Sequence, residues 1–130
     1  MVLLFNQDLS DKILKAYYKV YNSLGYGFLE KVYENSMVIE LRKMGLNIEQ
    51  QSLVKVYYEG EQVGYYKADL IVEGEFIVEL KANDVLREED ECQLINYLKA
   101  TSIESGLLLN FGKKPQFSRK IFENRFKKSV

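Results

Sequence analysis

The chain has 130 residues, of which 47% are hydrophobic and 28% charged, and its formal net charge is −1. This length and balance are typical of one globular domain over residues 1–130 with a core of its own. Its single cysteine, Cys92, and its lack of histidine exclude an internal disulfide and a zinc or iron–sulfur site held by this chain alone. Any metal must therefore bind to oxygen.

The two ends of the chain indicate where the protein is located and how its charge is distributed. Residues 1–5 are apolar but have no basic n-region and no cleavage site, and no stretch reaches the length of a membrane span, so we expect a cytoplasmic protein without a membrane partner. From residue 113 onward seven basic residues accompany one acidic residue, on a body of net charge −7. This basic segment is either a contact for a nucleic-acid backbone or a solubilising, partly frayed end. The candidate nucleic-acid contacts are Lys120, Arg125, Lys127 and Lys128.

The first 45 residues have the periodicity of two helices. Apolar residues on one stripe predict a helix over residues 8–24, with Asp8 or Ser10 as its N-cap. The Gly-Tyr-Gly at residues 25–27 interrupts the pattern. A second helix is predicted to run from there to about residue 44, and Gly45 is its natural end.

The pattern then changes to one of short strands. Strands are predicted over residues 48–58, 63–66, 68–72 and 76–81, a helix over residues 87–102 and a buried strand over residues 106–111. Beyond Pro115 the pattern fits either a short strand or a helical turn. This order predicts an α/β fold with a central mixed sheet flanked by helices.

Two carboxylates and a lysine fall on the third and fourth of these strands. Alternation places Ile77, Glu79 and Lys81 on one face of their strand. Taken alone, Glu79 and Lys81 also fit the solvated face of a half-buried hairpin. Asp69 joins them only if the loop between the strands has an odd length or a bulge intervenes. A three-residue loop places it opposite Glu79, and a two-residue loop places it opposite Val78.

Two helices contribute further polar candidates. Gln93 and Tyr97 are four residues apart on one helical face, where the glutamine can bind a phosphate oxygen or orient the lysine. Tyr97 also fits a simple packing role. Gly27, Glu30 and Tyr33 share a face near the start of the second helix, where the helix dipole favours a carboxylate whatever its function. Glu30 is therefore a candidate either for helix capping or for metal binding.

As a set, these residues suit a metal-dependent phosphodiesterase, in which carboxylates hold a hard cation that activates water beside a phosphate. Crowded carboxylates repel one another without a cation, so at least one should have a raised pKa. The motifs also resemble the GxxExxY protein family, which is placed in the PD-(D/E)xK nuclease superfamily beside RecB-like and phage-exonuclease-like domains. The resemblance rests on Gly27-x-x-Glu30-x-x-Tyr33, Lys67-Ala68-Asp69, Glu79-Leu80-Lys81 and Gln93-x-x-x-Tyr97.

The resemblance implies a restriction-endonuclease-like fold and a role for each motif residue. Asp69, Glu79 and the Leu80 carbonyl would hold Mg²⁺ or Mn²⁺, and Lys81 would position or activate the water. Glu30 would hold the metal directly or through water, and Gln93 and Tyr97 would complete the site.

The implied activity is Mg²⁺-dependent hydrolysis of phosphodiester bonds in DNA. The alternative is a non-catalytic nucleic-acid-binding or regulatory module that keeps the nuclease fold. The sequence has no separate specificity domain, which makes a partner protein or a homo-oligomer a candidate source of targeting.

Overall fold

A computed structural model describes residues 5–128, so the first four residues of the apolar opening and the last two of the basic segment lie outside the described residues. Within that range the chain forms three α-helices, five strands and a short 3-10 helix. Their bounds in chain order are α1 Gln7–Leu24, α2 Glu30–Lys43, β1 Ile48–Tyr58, β2 Glu61–Val72, β3 Phe76–Lys81, α3 Glu88–Lys99, β4 Ser105–Phe111, β5 Pro115–Ile121 and the 3-10 helix Asn124–Phe126.

Several element bounds differ from the sequence-based ones. The two strands predicted at residues 63–66 and 68–72 are one continuous strand, β2. The N-cap of α1 is Asn6, whose side-chain oxygen accepts a hydrogen bond from the Leu9 N–H at 3.1 Å, and not Asp8 or Ser10. Beyond Pro115 both expected forms occur in turn, β5 and then the 3-10 helix.

The five strands form one mixed sheet, as the sequence predicts, and their order in the sheet is β1-β2-β3-β4-β5. The β3–β4 pair is parallel and the other three pairs are antiparallel. A parallel pair needs a crossover connection, and α3 supplies it. This topology places β3 in the centre of the sheet, between the hairpin partner β2 and the crossover partner β4.

Helices cover both faces of the sheet. On one face α1 and α2 pack against Phe76, Val78 and Leu80 of β3, and on the other α3 packs against Ile77. The predicted alternation along β3 is confirmed, and it directs the Glu79 side chain toward the α3 face. No helix within residues 5–128 has both the length and the apolar character needed to cross a membrane.

Candidate functional site

Asp69 and Glu79 lie side by side where β2 and β3 separate. The loop between these strands has three residues, and backbone pairing ends at Leu70 and Val78. Beyond this point the backbone N–H groups of Asp69 and Leu80 donate to carboxylate oxygens instead of to carbonyls of the neighbouring strand. The Asp69 N–H donates to Glu79 Oε2 at 2.7 Å, and the Leu80 N–H donates to Asp69 Oδ2 at 2.8 Å. We call these two residues the carboxylate pair.

Within the carboxylate pair Glu79 is buried and Asp69 is partly buried. Glu79 is only 3% exposed, so the interpretation of Glu79 as part of a solvated hairpin face is wrong. Burial, reinforced by the charge of Asp69, raises the pKa of Glu79 to about 8. Burial also raises the pKa of Asp69. The expected rise in pKa at crowded carboxylates is thus confirmed.

Lys81 extends the site toward α3. Its Nζ donates a hydrogen bond to Gln93 Oε1 at 3.1 Å and lies 3.9 Å from Asp90 Oδ1. Gln93 therefore orients the lysine, one of the two roles considered for it. Tyr97, one turn further along α3, has its pKa raised to about 12, first by burial and then by the charge of Glu79. Its hydroxyl stays protonated at neutral pH and can donate a hydrogen bond.

Glu30 is the first residue of α2 and faces the same site. Burial raises its pKa, the charge of Lys81 opposes that rise, and the charge of Asp69 adds to it. The shared helical face predicted for Gly27, Glu30 and Tyr33 is wrong for Gly27, which precedes α2 in a turn with φ 106°. Tyr33 anchors that turn, because its hydroxyl donates to the Gly25 carbonyl at 2.7 Å.

Two residues that the sequence does not single out support Asp69. Gln51 of β1 donates from Nε2 both to Asp69 Oδ1 at 3.2 Å and to Glu34 Oε1 at 2.8 Å. Glu34 is buried in α2 and also accepts from Lys31 at 2.9 Å. The position of Glu34 one turn after Glu30 was the only signal for it in the sequence.

The backbone of Gln51 also redirects the β1–β2 ribbon. Gln51 has a φ of 54°, which is uncommon for a residue with a side chain. Ile48 and Leu70 lie with the α1/α2 core, whereas Val54 and Ala68, beyond Gln51, lie with the α3 core. Regular alternation would keep Ile48 and Val54 on one face. The ribbon formed by the paired strands β1 and β2 therefore crosses at Gln51 from the α1/α2 side of the sheet to the α3 side, and its outer half folds over α3.

The four basic candidates lie at the opposite edge of the sheet and after it. Lys120 of β5 pairs with Glu91 of α3 at 3.0 Å, and Arg125 pairs with a neighbouring glutamate at 3.0 Å. Lys127 donates to two backbone carbonyls of the loop after α3, each at 2.8 Å, and Lys128 is exposed. A role for these residues in binding nucleic acid stays a prediction.

The fold agrees with a comparison against known families. A family model described as the PD-(D/E)XK nuclease superfamily matches residues 7–121. The chain belongs to this superfamily. The match runs from the start of α1 to the end of β5, so it covers every helix and strand that builds the site. Searches among curated proteins and among solved structures found no significant match.

Nucleases of the PD-(D/E)XK superfamily typically use divalent metal ions, and the donor chemistry of the site fits such an ion in part. Within residues 5–128, no three Asp, Glu, Cys or His side chains are grouped as ligands. The carboxylate pair nevertheless offers two adjacent, oxygen-only side chains, one buried and one partly buried, with raised pKa values. A hard cation bound between the two carboxylates would relieve the repulsion between their negative charges. The Leu80 carbonyl lies on the same side of β3 as the N–H that binds Asp69, which adds an oxygen donor.

Proposed function

We propose that this chain is a Mg²⁺-dependent nuclease that hydrolyses phosphodiester bonds in DNA, with Mn²⁺ as a substitute metal. The observation that carries the proposal is the hydrogen-bonded carboxylate pair beside the oriented Lys81 in a chain of the PD-(D/E)XK nuclease superfamily. Aligned carboxylates and a lysine held by an amide are the parts that phosphodiester hydrolysis requires. The motif resemblance supports a place in the GxxExxY family.

In this proposal each residue has one task. Asp69, Glu79 and the Leu80 carbonyl would hold the cation, with Glu30 as a further ligand. A bound cation would lower the pKa of water and neutralise charge on the phosphate. Lys81, oriented by Gln93, would supply positive charge to the phosphate as negative charge develops. The protonated hydroxyl of Tyr97 would donate a hydrogen bond at the same place.

One observation favours a second candidate, a module that binds nucleic acid without cleaving it. Both members of the carboxylate pair already accept backbone hydrogen bonds, and the described residues contain no grouped set of three acidic ligands. Hydrogen bonds of this kind hold the two carboxylates in place without a metal ion. The two candidates differ in a single measurable property, which is turnover.

Turnover by the purified protein tests the proposed function. We expect single- or double-stranded DNA to be cleaved in Mg²⁺ or Mn²⁺ and not in EDTA, because metal-free carboxylates cannot activate water. Asp69→Asn should abolish this cleavage, whereas cleavage by a contaminating nuclease would persist in both the wild-type and the variant preparations. A folded wild-type protein that cleaves neither DNA nor RNA in either metal would favour the non-catalytic module.

The basic segment yields a separate prediction about affinity. Lys120, Arg125, Lys127 and Lys128 should contribute phosphate contacts, and each such contact releases counterions, so DNA binding should weaken steeply with salt. Neutralising all four should flatten the plot of log affinity against log salt by up to about three to four units of slope. The measurement is a salt titration of DNA binding in Ca²⁺, which occupies oxygen sites without usually supporting cleavage.

The internal contacts of these basic residues provide the control. Lys120 and Arg125 already pair with glutamates, so the matched variant neutralises Lys12 and Lys43, which form comparable ion pairs on α1 and α2. That variant should keep the wild-type slope. Equal slopes for the wild type and the four-fold variant would leave the basic segment a solubilising end and move the DNA path elsewhere.

A further inference from the structure

A cavity of about 520 Å³ lies between the outer half of the β1–β2 ribbon and α3. Tyr57 and Tyr66 line it from the ribbon, and Gln93 and Tyr97 line it from the helix. The cavity exists because the ribbon changes face at Gln51 and folds over α3. Its volume is in the range of pockets that hold small organic ligands.

The cavity is continuous with the candidate site. Gln93 lines the cavity and also accepts the hydrogen bond from Lys81, and Tyr97 lines it beside the carboxylate pair. The rings of Tyr66 and Tyr97 lie 5.5 Å apart at 41°. A group bound in the cavity would therefore adjoin whatever is bound at Lys81.

The lining has the chemistry of a site for a flat, partly polar ring. Tyrosine rings supply apolar faces for stacking, while Asn96 and Gln93 supply amide donors and acceptors for the edge of such a ring. Two lysines, Lys55 and Lys99, accompany a single glutamate at this surface, which favours an anionic chain alongside the ring. Nucleobases attached to a phosphate backbone have both properties.

We propose that this cavity binds an unpaired nucleobase of the strand whose phosphate occupies the neighbouring site. The inference rests on the proposed function for its ligand class, and it adds that the chain prefers single-stranded or frayed nucleic acid. A base within an intact duplex has no free face for Tyr66, so a duplex would have to open before it could fill the cavity.

Tyr66 offers a clean test because its neighbour is a matched control. Tyr66 is 53% exposed and lines the cavity, while Tyr65 is 60% exposed and does not line it. Each is changed to leucine in a Glu79→Gln background, which should not cleave. Tyr66→Leu should weaken binding of an oligo-dT strand by about tenfold or more, the effect of losing one stacking ring, and Tyr65→Leu by less than about twofold.

Removal of the base from the ligand completes a double-mutant cycle. An abasic strand of the same length has the same phosphates without bases, so wild-type affinity for it should be lower than for oligo-dT. Tyr66→Leu should abolish that difference, and Tyr66→Phe, which keeps the ring, should preserve it. Affinity for an intact blunt duplex should be the same in all of these variants.

Cys92 gives a second readout that needs no substitution in the cavity. It is the only cysteine of the chain, it is exposed, and it lines the cavity. Saturating oligo-dT should slow alkylation of Cys92 by a small maleimide, and a saturating abasic strand should not. An equal effect of the two strands would overturn the proposal.

The outcomes separate this inference from the proposed function. Base-dependent binding through Tyr66 without any turnover would support the cavity and reject the nuclease. Turnover without base-dependent binding would support the nuclease and overturn the cavity proposal. Concentration-dependent self-association that Tyr66→Leu abolishes, with no effect on strand binding, would also overturn it by assigning the cavity to a second copy of the chain.

Discussion

Glu79→Gln is expected to abolish cleavage while making the metal-free protein more stable. The amide keeps an oxygen that accepts the hydrogen bond from the Asp69 N–H, but it removes the buried negative charge of Glu79. That charge is needed to bind the cation, and without a cation it is repelled by the charge of Asp69. Cleavage should fall by about 100-fold or more. At pH 9 the free energy of unfolding should rise by up to about 5 kcal/mol, the limit set by a pKa raised from its usual value to about 8, as measured by urea denaturation in EDTA.

Glu40→Gln is the matched control for that variant. Glu40 pairs with Lys19 at 2.9 Å on the outer surface, and a hydrogen bond from that lysine lowers its pKa. The same change of carboxylate to amide should therefore leave cleavage intact and should not stabilise the protein. If Glu79→Gln instead lost stability in EDTA, its loss of cleavage would reflect damage to the fold, and the site would need another test.

The stability of the metal-free protein should fall as the pH rises from about 4.5 to 8. Glu79 titrates near its usual value when unfolded but at about 8 when folded, so the folded state binds more protons across this interval. The raised pKa values of Asp69 and Glu30 act in the same direction. For Glu79 the slope reaches about 1.4 kcal/mol per pH unit, and Glu79→Gln should flatten the curve.

Mg²⁺ should restore the stability lost at the upper end of this interval. Only the folded chain brings Asp69 and Glu79 together, so a concentration 100 times the Kd should add about 2.7 kcal/mol at pH 8. Thermal melts in Mg²⁺ and in a NaCl solution of equal ionic strength measure the difference. Asp69→Asn should lose the gain, and an equal gain in this variant would mean that the ions bind elsewhere.

The parts of the site that depend on local periodicity could be predicted from the sequence. Strand alternation set the faces of Glu79 and Lys81, and helical spacing placed Gln93 beside Tyr97. The position of Asp69 depended on one local variable, the length of the loop, and the structure has the three-residue form. Each of these relations is determined within about a dozen residues of chain.

The parts that depend on distant contacts could not be predicted. Only its spacing from Glu30 marks Glu34 in the local sequence, and its partner Gln51 lies in a strand 17 residues away. The positive φ of Gln51 is a conformation that few residues adopt and that surrounding tertiary structure must impose. The cavity beside Tyr66 depends on that change of face, so it too was invisible in the sequence.

The hydrogen bonds within the carboxylate pair give each carboxyl group its own spectroscopic probe. Bulk titration of two interacting acids yields apparent pKa values that belong to the pair and not to either member. Here the Asp69 amide proton binds Glu79, and the Leu80 amide proton binds Asp69. Their nuclear magnetic resonance shifts respond to the charge on the acceptor oxygen. Two backbone signals can thus follow the two ionisations separately, residue by residue, without any label in the site.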